Sequence, residues 1–378
     1  HDRGDVILDA IADRLLSLVS SDDLVVRIDG AAFGIVLTNV QSVDLQAHQI
    51  ITALELPLLI DDTEICLGSS IGASRYPEDA TDAEKLMAFA DIALARAKKA
   101  GVDNYMIFSA EMKQEMEERF VLENDLRRAL IERQFFLEYQ PQLDLKTGHL
   151  LGFEALIRWK HPKRGLIFPN FFIQAAEDTG LITPLFEYVL DAATKQIKRW
   201  NSLGLGKMTM AVNLSAAQFK DKNLQATIKK LIKKNKIAPS ELELEITESL
   251  LMQHIEETSD LLEQLVKTGI HIALDDFGTG YSSLSYLNKL PIHKIKIDRS
   301  FIQVLCNDKS SSEIVRIIID LAHALKLHVI AEGCETKKQL NRLQKLNCDS
   351  VQGFYIARAL PTEQAEELIY KYNTKCKK

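Results

Sequence analysis

His271-Ile-Ala-Leu-Asp-Asp-Phe-Gly-Thr-Gly280, followed shortly by Lys294-Ile-Lys-Ile-Asp298, is an apolar run ending in acids, a glycine loop and a second run ending in an acid. Short apolar runs that stop at charged residues predict buried strands. Working outward, the same unit recurs through the last two thirds of the chain. Strands are expected at 136–139, 151–159, 208–214, 242–246, 271–274, 294–297, 328–331 and 351–355, with amphipathic helices between them. Pro184 suits a first helical turn, Gly269 closes a 3.6-period run, and Thr336-Lys-Lys-Gln339 is a capping box. Eight strands linked by helical crossovers predict an α/β protein built on a (β/α)8 barrel.

With 378 residues, 46% apolar and 26% charged, the chain has material for more than one core. A formal net charge of -7 argues against binding to nucleic acid polymers or anionic membrane. A phosphate ligand remains compatible, because cations held by carboxylates invert the local sign. The five cysteines form no close-spaced set, which fits a reduced compartment. The apolar stretch 314–331 contains Arg316, Asp320, His323, Lys326 and His328 and is not a membrane span. The expected compartment is the cytosol, either free or attached to the inner membrane through a region upstream of His1.

Within the first hundred residues, strands are expected at 25–28 and 33–37, joined by Asp29-Gly30 as a hairpin. Thr81-Asp-Ala-Glu84 reads as a capping box for a helix that stops at Gly101. A charge-rich segment, 111–134, has helical apolar spacing and no Pro or Gly, and reads as an interdomain helix.

Barrel chemistry sits at the carboxyl ends of the strands, and here those ends are acidic. They deliver Glu154, Asn213, Glu245, Asp275 with Asp276, Lys296 with Asp298, Glu332 and Gln352. One such acid is ordinarily a helix cap or a solvated group. Several together repel unless cations neutralise them, and hard oxygen donors suit Mg²⁺ or Mn²⁺. The adjacent Asp275-Asp276 suits a two-cation phosphoester site, since one carboxylate can bridge two ions while its neighbour reaches one. The loop from Asp276 to Ser283, with two glycines and small hydroxyl residues, reads either as a ligand-responsive turn or as an ordinary loop. Lys296, between Ile295 and Ile297, would be a buried cation needing carboxylates or phosphate around it. The histidines lack metal-binding spacing and read as core or surface residues.

Glu154-Ala-Leu-Ile-Arg-Trp159 resembles the EAL family of cyclic di-GMP phosphodiesterases, and the resemblance continues to the end of the chain. It runs through Tyr139-Gln-Pro141, Val212-Asn-Leu-Ser215, Glu245-Ile-Thr-Glu248, Asp275-Asp-Phe-Gly-Thr-Gly280, Lys296-Ile-Asp298, Ala331-Glu-Gly-Cys-Glu335 and Gln352-Gly-Phe354. It implies two Mg²⁺ or Mn²⁺ ions on Glu154, Asn213, Glu245, Asp275 and Asp276. Glu332, Lys296 and Glu154 would be the catalytic set, with Glu332 as general base and Lys296 orienting water. Substrate would meet Arg158, Gln140 and Gln352, supported by Glu248, Asp298 and Glu335. The implied reaction is in-line hydrolysis of cyclic di-GMP to linear pGpG, in a dimer formed through the barrel domain. Ala359 and Phe354 depart from the family's usual residues without touching the implied metal shell.

The first part resembles the GGDEF family of diguanylate cyclases, from His1-Asp-Arg-Gly-Asp5 through Ser70-Ile-Gly-Ala73, Ala90-Asp91 and Ala97-Lys98. The signature itself reads Asp29-Gly-Ala-Ala-Phe33, so two acids needed for cyclisation have become Ala31 and Ala32. The family's inhibitory RxxD pattern would fall on Ser20 to Asp23, without its arginine, and its first strand and helix would precede His1. The expected organisation is a partial, inactive GGDEF domain at 1–110, an interdomain helix at 111–134 and an EAL domain at 120–378. GTP at the first domain ranks below a structural role. The alternative to hydrolysis is a receptor that binds cyclic di-GMP without turnover.

Overall fold

The computed structural model describes residues 2–375 other than 39, 61–62, 222, 254, 279–286, 288 and 308. The chain divides into two compact units, His1–Val121 and Leu122–Lys378. Among the described residues no helix is long and apolar enough to cross a membrane.

In chain order the first unit contains α1 (Asp2–Leu16), β1 (Leu24–Asp29), β2 (Ala32–Val36), α2 (Val43–Glu55), β3 (Leu58–Ile60), β4 (Thr63–Ile65), β5 (Ser70–Ala73), α3 (Ala83–Ala100) and β6 (Asn104–Ile107). The expected hairpin is present as the antiparallel pair β1 and β2, turned by Gly30 at φ 50°. Asp23 accepts hydrogen bonds from the Ser20 and Thr38 amides, at 2.8 and 2.6 Å, and thereby ties the loop before β1 to the end of the hairpin. Gly72 has a packing reason: a Cβ there would stand 2.1 Å from the Leu94 amide nitrogen and 2.2 Å from the Ala90 carbonyl oxygen. Only glycine lets β5 lie that close to α3. Helix α3 begins one residue later than the sequence pattern predicts, because Asp82 rather than Thr81 is the N-cap and accepts from the Glu84 amide at 2.9 Å. A carboxylate accepts more strongly than a hydroxyl at a helix N-terminus. Gly101 ends the helix at φ 120°.

The boundary between the units falls inside α4 (Ala110–Ile131), whose charge-rich sequence fits a helix with little buried surface. The second unit then lays down β7 (Phe135–Asp144), β8 (Leu150–His161), β9 (Gly165–Ile167), β10 (Thr209–Asn213), β11 (Leu242–Thr247), β12 (His271–Phe277), β13 (Lys294–Ile297), β14 (His328–Ala331) and β15 (Ser350–Gln352). Strands β8 and β10 to β15 are mutually parallel where they pair, and β10 returns to pair with β8, so with β7 eight strands close a barrel. Its seam passes over Gly152, where a Cβ would meet the Thr209 carbonyl oxygen at 2.1 Å. Apolar side chains pack the barrel against its helices: Leu242, Leu244 and Ile246 from β11 and Ile295 and Ile297 from β13 are wholly buried in one core with Leu190, Ile228 and Leu262.

One strand departs from the all-parallel expectation. β7 runs antiparallel to both neighbours, β8 and β15. Only residues 145–149 join β7 to β8. A turn of that length makes a hairpin, whereas a parallel crossover needs a dozen residues or more. Asp144 stabilises this turn by accepting from the Lys146 and Thr147 amides, at 2.9 and 2.6 Å. The far end of β8 is fastened to the segment just before β7. Trp159 Nε1 donates to Gln134 Oε1 at 2.9 Å, the Lys160 amide donates to the Gln134 carbonyl at 2.9 Å, and His161 Nε2 lies 3.0 Å from Asp125 Oδ2 on α4.

Candidate active site

The strands β11 and β13 show how the site is built. Leu242-Glu-Leu-Glu-Ile-Thr247 and Lys294-Ile-Lys-Ile297 alternate polar and apolar residues, yet every residue except Thr247 is buried. Because side chains alternate faces along a strand, one face packs on the helices and the other fills the barrel with charge. Glu245 and Lys296 meet there. Lys296, 1% exposed, holds its Nζ 2.7 Å from Glu332 Oε1, 2.8 Å from Glu245 Oε2, 3.1 Å from Asp275 Oδ2 and 3.8 Å from Glu154 Oε2. Carboxylates carried by β8, β11 and β12 and by the residue just after β14 therefore converge on one ammonium from β13.

Four carboxylates around one cation leave an excess of negative charge, and the ionisations record it. Burial, joined by the neighbouring Glu154 charge, raises the Glu245 carboxyl well above its usual range despite Lys296. Burial also pushes Glu332 up to about 8, with Asp275 and Glu154 adding to it and Lys296 opposing. Asp276 is raised by burial and by the adjacent Asp275. Glu154 is the exception. Burial acts against its charge, but Lys296 and hydrogen bonds from Gln352 and Asn213 hold its carboxyl below the ordinary value. For Lys296, burial is outweighed by its four carboxylates, so the ammonium is retained far above neutral pH.

Two features show that the donor set fits divalent cations. Oxygens of Asp275, Asp276 and Glu332 lie within 4.8 Å of one another and could ligate one ion. Among the described residues neither oxygen of Glu245 has an aligned hydrogen bond, although Lys296 stands 2.8 Å from Oε2. Buried polar atoms normally have partners, and a hard cation is the partner such oxygens suit. Asn213 Nδ2 donates to Glu154 Oε1 at 2.7 Å, which turns its carbonyl oxygen away from that carboxylate. Asp276 sits at φ 54°, and its amide donates to Asp275 Oδ1 at 2.9 Å. The left-handed turn at Asp276 breaks the strand's alternation and lets consecutive acids reach the same group.

Around this centre the other expected residues are placed differently from one another. Gln352 Nε2 donates to Glu154 Oε2 at 2.6 Å and to Gln140 Oε1 at 3.0 Å, so both glutamines join the cluster. Arg158, four residues along β8 from Glu154, is fixed by Glu138 Oε2 at 2.8 Å from its Nε and by the Ile157 carbonyl at 3.0 Å from Nη1, with the Phe168 ring 5.1 Å away. Glu248 accepts from the Gly278 amide at 2.9 Å, at the start of the loop whose residues 279–283 lie outside the described residues. Asp298 caps the helix Arg299–Val304 through the Ser300 amide, and its charge reaches Asp276. Glu335 is exposed and pairs with Arg299 at 2.9 Å. Sequence reasoning passed over Gln142, Glu243 and Lys294, which the barrel buries, and the half-buried Glu138, which pairs with Arg158. Strict alternation in β11 and β13 is the signal that points to Glu243 and Lys294.

Residues 123–359 match the EAL domain family and residues 1–104 match the family described as diguanylate cyclase, GGDEF domain. MucR of Pseudomonas aeruginosa, described as a bifunctional diguanylate cyclase/cyclic di-GMP phosphodiesterase, is 39% identical over 366 residues, or 96% of this chain and 53% of MucR. NbdA of the same organism, described as a cyclic di-GMP phosphodiesterase, is 36% identical over 374 residues, or 98% of this chain and 48% of NbdA. A solved structure described as the PaMucR phosphodiesterase in complex with c-di-GMP superposes with a TM-score of 0.63 at 44% identity, covering 65% of this chain and 99% of that one. The chain spans about half the length of these curated relatives. With an eight-stranded barrel, convergent strand-end carboxylates and matches of this extent, the chain belongs to the EAL-domain family of cyclic di-GMP phosphodiesterases and carries a partial GGDEF domain ahead of its barrel.

Proposed function

We propose that this chain hydrolyses cyclic di-GMP to linear pGpG with two divalent cations, Mg²⁺ or Mn²⁺, and that its GGDEF part is catalytically inactive and structural. The observation that carries the reading is the buried Lys296 ammonium enclosed by Glu154, Glu245, Asp275 and Glu332. Such a group has no use as a stabilising core, since buried ions rarely outdo apolar packing. Glu154, Asn213, Glu245, Asp275 and Asp276 would hold the cations, which when bound neutralise phosphate charge and acidify water.

The chain's own groups supply the rest. Arg158 offers its Nη2 protons to a phosphate oxygen, because Nε is committed to Glu138 and Nη1 to a carbonyl, with no partner of Nη2 among the described residues. Glu332 takes a proton from the attacking water, a role suited to a carboxyl raised toward neutral pH. Lys296, a permanent donor at 2.7 Å from Glu332, fixes that carboxylate and the water beside it. Water oxygen bonds to phosphorus as its proton passes to Glu332, the bond from phosphorus to the ribose 3′ oxygen breaks, and that oxygen takes a proton from solvent to become a free hydroxyl. The product keeps a 5′ phosphate, which is pGpG. At the tip of the first unit's hairpin, Ala31 and Ala32 stand where the resemblance calls for acids, which leaves the signature without the two carboxylates that cyclisation needs.

The test is purified chain with cyclic di-GMP and Mg²⁺ or Mn²⁺, with product separated by chromatography. pGpG from the natural chain and none from Glu154→Ala supports the reading. Binding of cyclic di-GMP without pGpG would replace it with the receptor reading.

A further inference from the structure

The pattern of Glu245 and Lys296 is repeated one layer deeper in the barrel. Glu243 and Lys294 precede them by two residues, on the same faces of β11 and β13. Lys294 Nζ lies 2.7 Å from Glu243 Oε1, and both side chains are buried. The same ammonium donates to Gln142 Oε1 at 3.3 Å. Gln142 Nε2 donates to Gln352 Oε1 at 3.1 Å, and Gln352 Nε2 donates to Glu154 Oε2 at 2.6 Å. Three hydrogen bonds thus lead from a buried cation on β13, through β7 and β15, to a carboxylate on β8.

The direction of this chain follows from chemistry. An ammonium can only donate, so Gln142 must turn its oxygen to Lys294 and its NH₂ away from it. Gln352 must then meet that NH₂ with its own oxygen, which leaves its NH₂ facing Glu154. Each amide is polarised in the same sense as its neighbour, and the Glu154 carboxylate receives an N–H instead of a carbonyl.

We propose that Lys294 is a positioning residue for Glu154, acting through Gln142 and Gln352 to hold that carboxylate in the orientation that presents it to a cation. The inference rests on the reading that Glu154 holds a metal ion. A solely structural role for the Lys294–Glu243 pair would leave metal affinity untouched, whereas loss of an outer partner of a ligand weakens affinity by about 10–100-fold.

The experiment uses the full chain with Mn²⁺ as probe, by titration calorimetry and without substrate, beside kcat and thermal unfolding. Two charge-neutral changes interrupt the relay at different points: Gln142→Leu, and the pair Lys294→Met with Glu243→Met, which removes cation and anion together so that neither is left buried alone. Both are expected to fold and to raise the Mn²⁺ dissociation constant about tenfold for Gln142→Leu, and in the same direction for the double change, with kcat largely regained at saturating Mn²⁺. Dissociation constants within twofold of the natural chain in both folded variants would overturn the relay, as would absence of Mn²⁺ binding by the natural chain. Mn²⁺ binding that follows the expected pattern in a chain that yields no pGpG would support the relay and remove the hydrolase reading alone.

Discussion

Replacing Lys296 by methionine keeps the length of the side chain and removes the one charge that balances four carboxylates within 3.8 Å. Stripping a partner from a buried ion pair is expected to destabilise by about 3–5 kcal/mol. For a unit of this size that corresponds to a fall in Tm of roughly 6–20 °C. The loss depends on pH. Glu245 and Glu332 already bind protons more readily than ordinary carboxyls, and protonation relieves the repulsion, so the deficit is small near pH 5 and grows toward pH 8. It also depends on metal, because divalent cations take over the neutralising role. Thermal unfolding of Lys296→Met at pH 5 and pH 8, in chelator and in excess Mg²⁺, separates these effects. The expected result is a deep deficit only at high pH without metal, recovery with Mg²⁺, Mn²⁺ affinity no weaker than in the natural chain, and no hydrolysis. A metal-free Tm at pH 8 within about 2 °C of the natural chain, less than 1 kcal/mol, would refute the electrostatic account. A deficit that Mg²⁺ leaves unchanged would refute the metal fit.

The natural chain carries a weaker form of the same dependence. Folding raises the Glu332 carboxyl from the usual 4.5 to about 8, so the native state binds more protons than the unfolded one in that window. Metal-free stability is therefore present in full below pH 4.5 as far as this group is concerned and is lost as pH rises toward 8, and urea unfolding at several pH values, with and without Mg²⁺, should show a slope that metal flattens. Arg158→Lys retains the charge but loses the fork that engages Glu138 and a phosphate together; KM for cyclic di-GMP should rise about 10–100-fold, the equivalent of one charged hydrogen bond, with folding intact. Steady-state kinetics beside circular dichroism checks it, and an unchanged KM would remove Arg158 from phosphate binding.

The strand pattern was legible because burial on both faces makes short apolar runs that stop abruptly at acids, as at Ala273-Leu-Asp-Asp276. The acids at the strand ends were legible for the same reason, and Lys296 because a lysine between isoleucines demands counter-charges. The direction of β7 is also written locally, in the few residues that carry Lys146-Thr147-Gly148 between two strands, too short for the crossover a parallel partner requires. Glu138 and Gln142 were not legible. Each acquires meaning only from a partner brought near by the barrel, Arg158 for one and Lys294 for the other, and an isolated polar residue on a strand carries no sign of that pairing.

The reversed first strand alters where the outside of the molecule touches its chemistry. In an all-parallel barrel the incoming chain arrives at the floor, at the opposite end from the catalytic rim. Here Phe135 stands opposite Trp159 and Phe136 opposite Arg158, while Asp144 reaches the far end beside Ser350. Whatever precedes β7 is consequently delivered at the mouth. The segment that leads into β7 is thus bonded, through Asp125 and Gln134, to the far end of the same strand that bears Arg158 and Glu154.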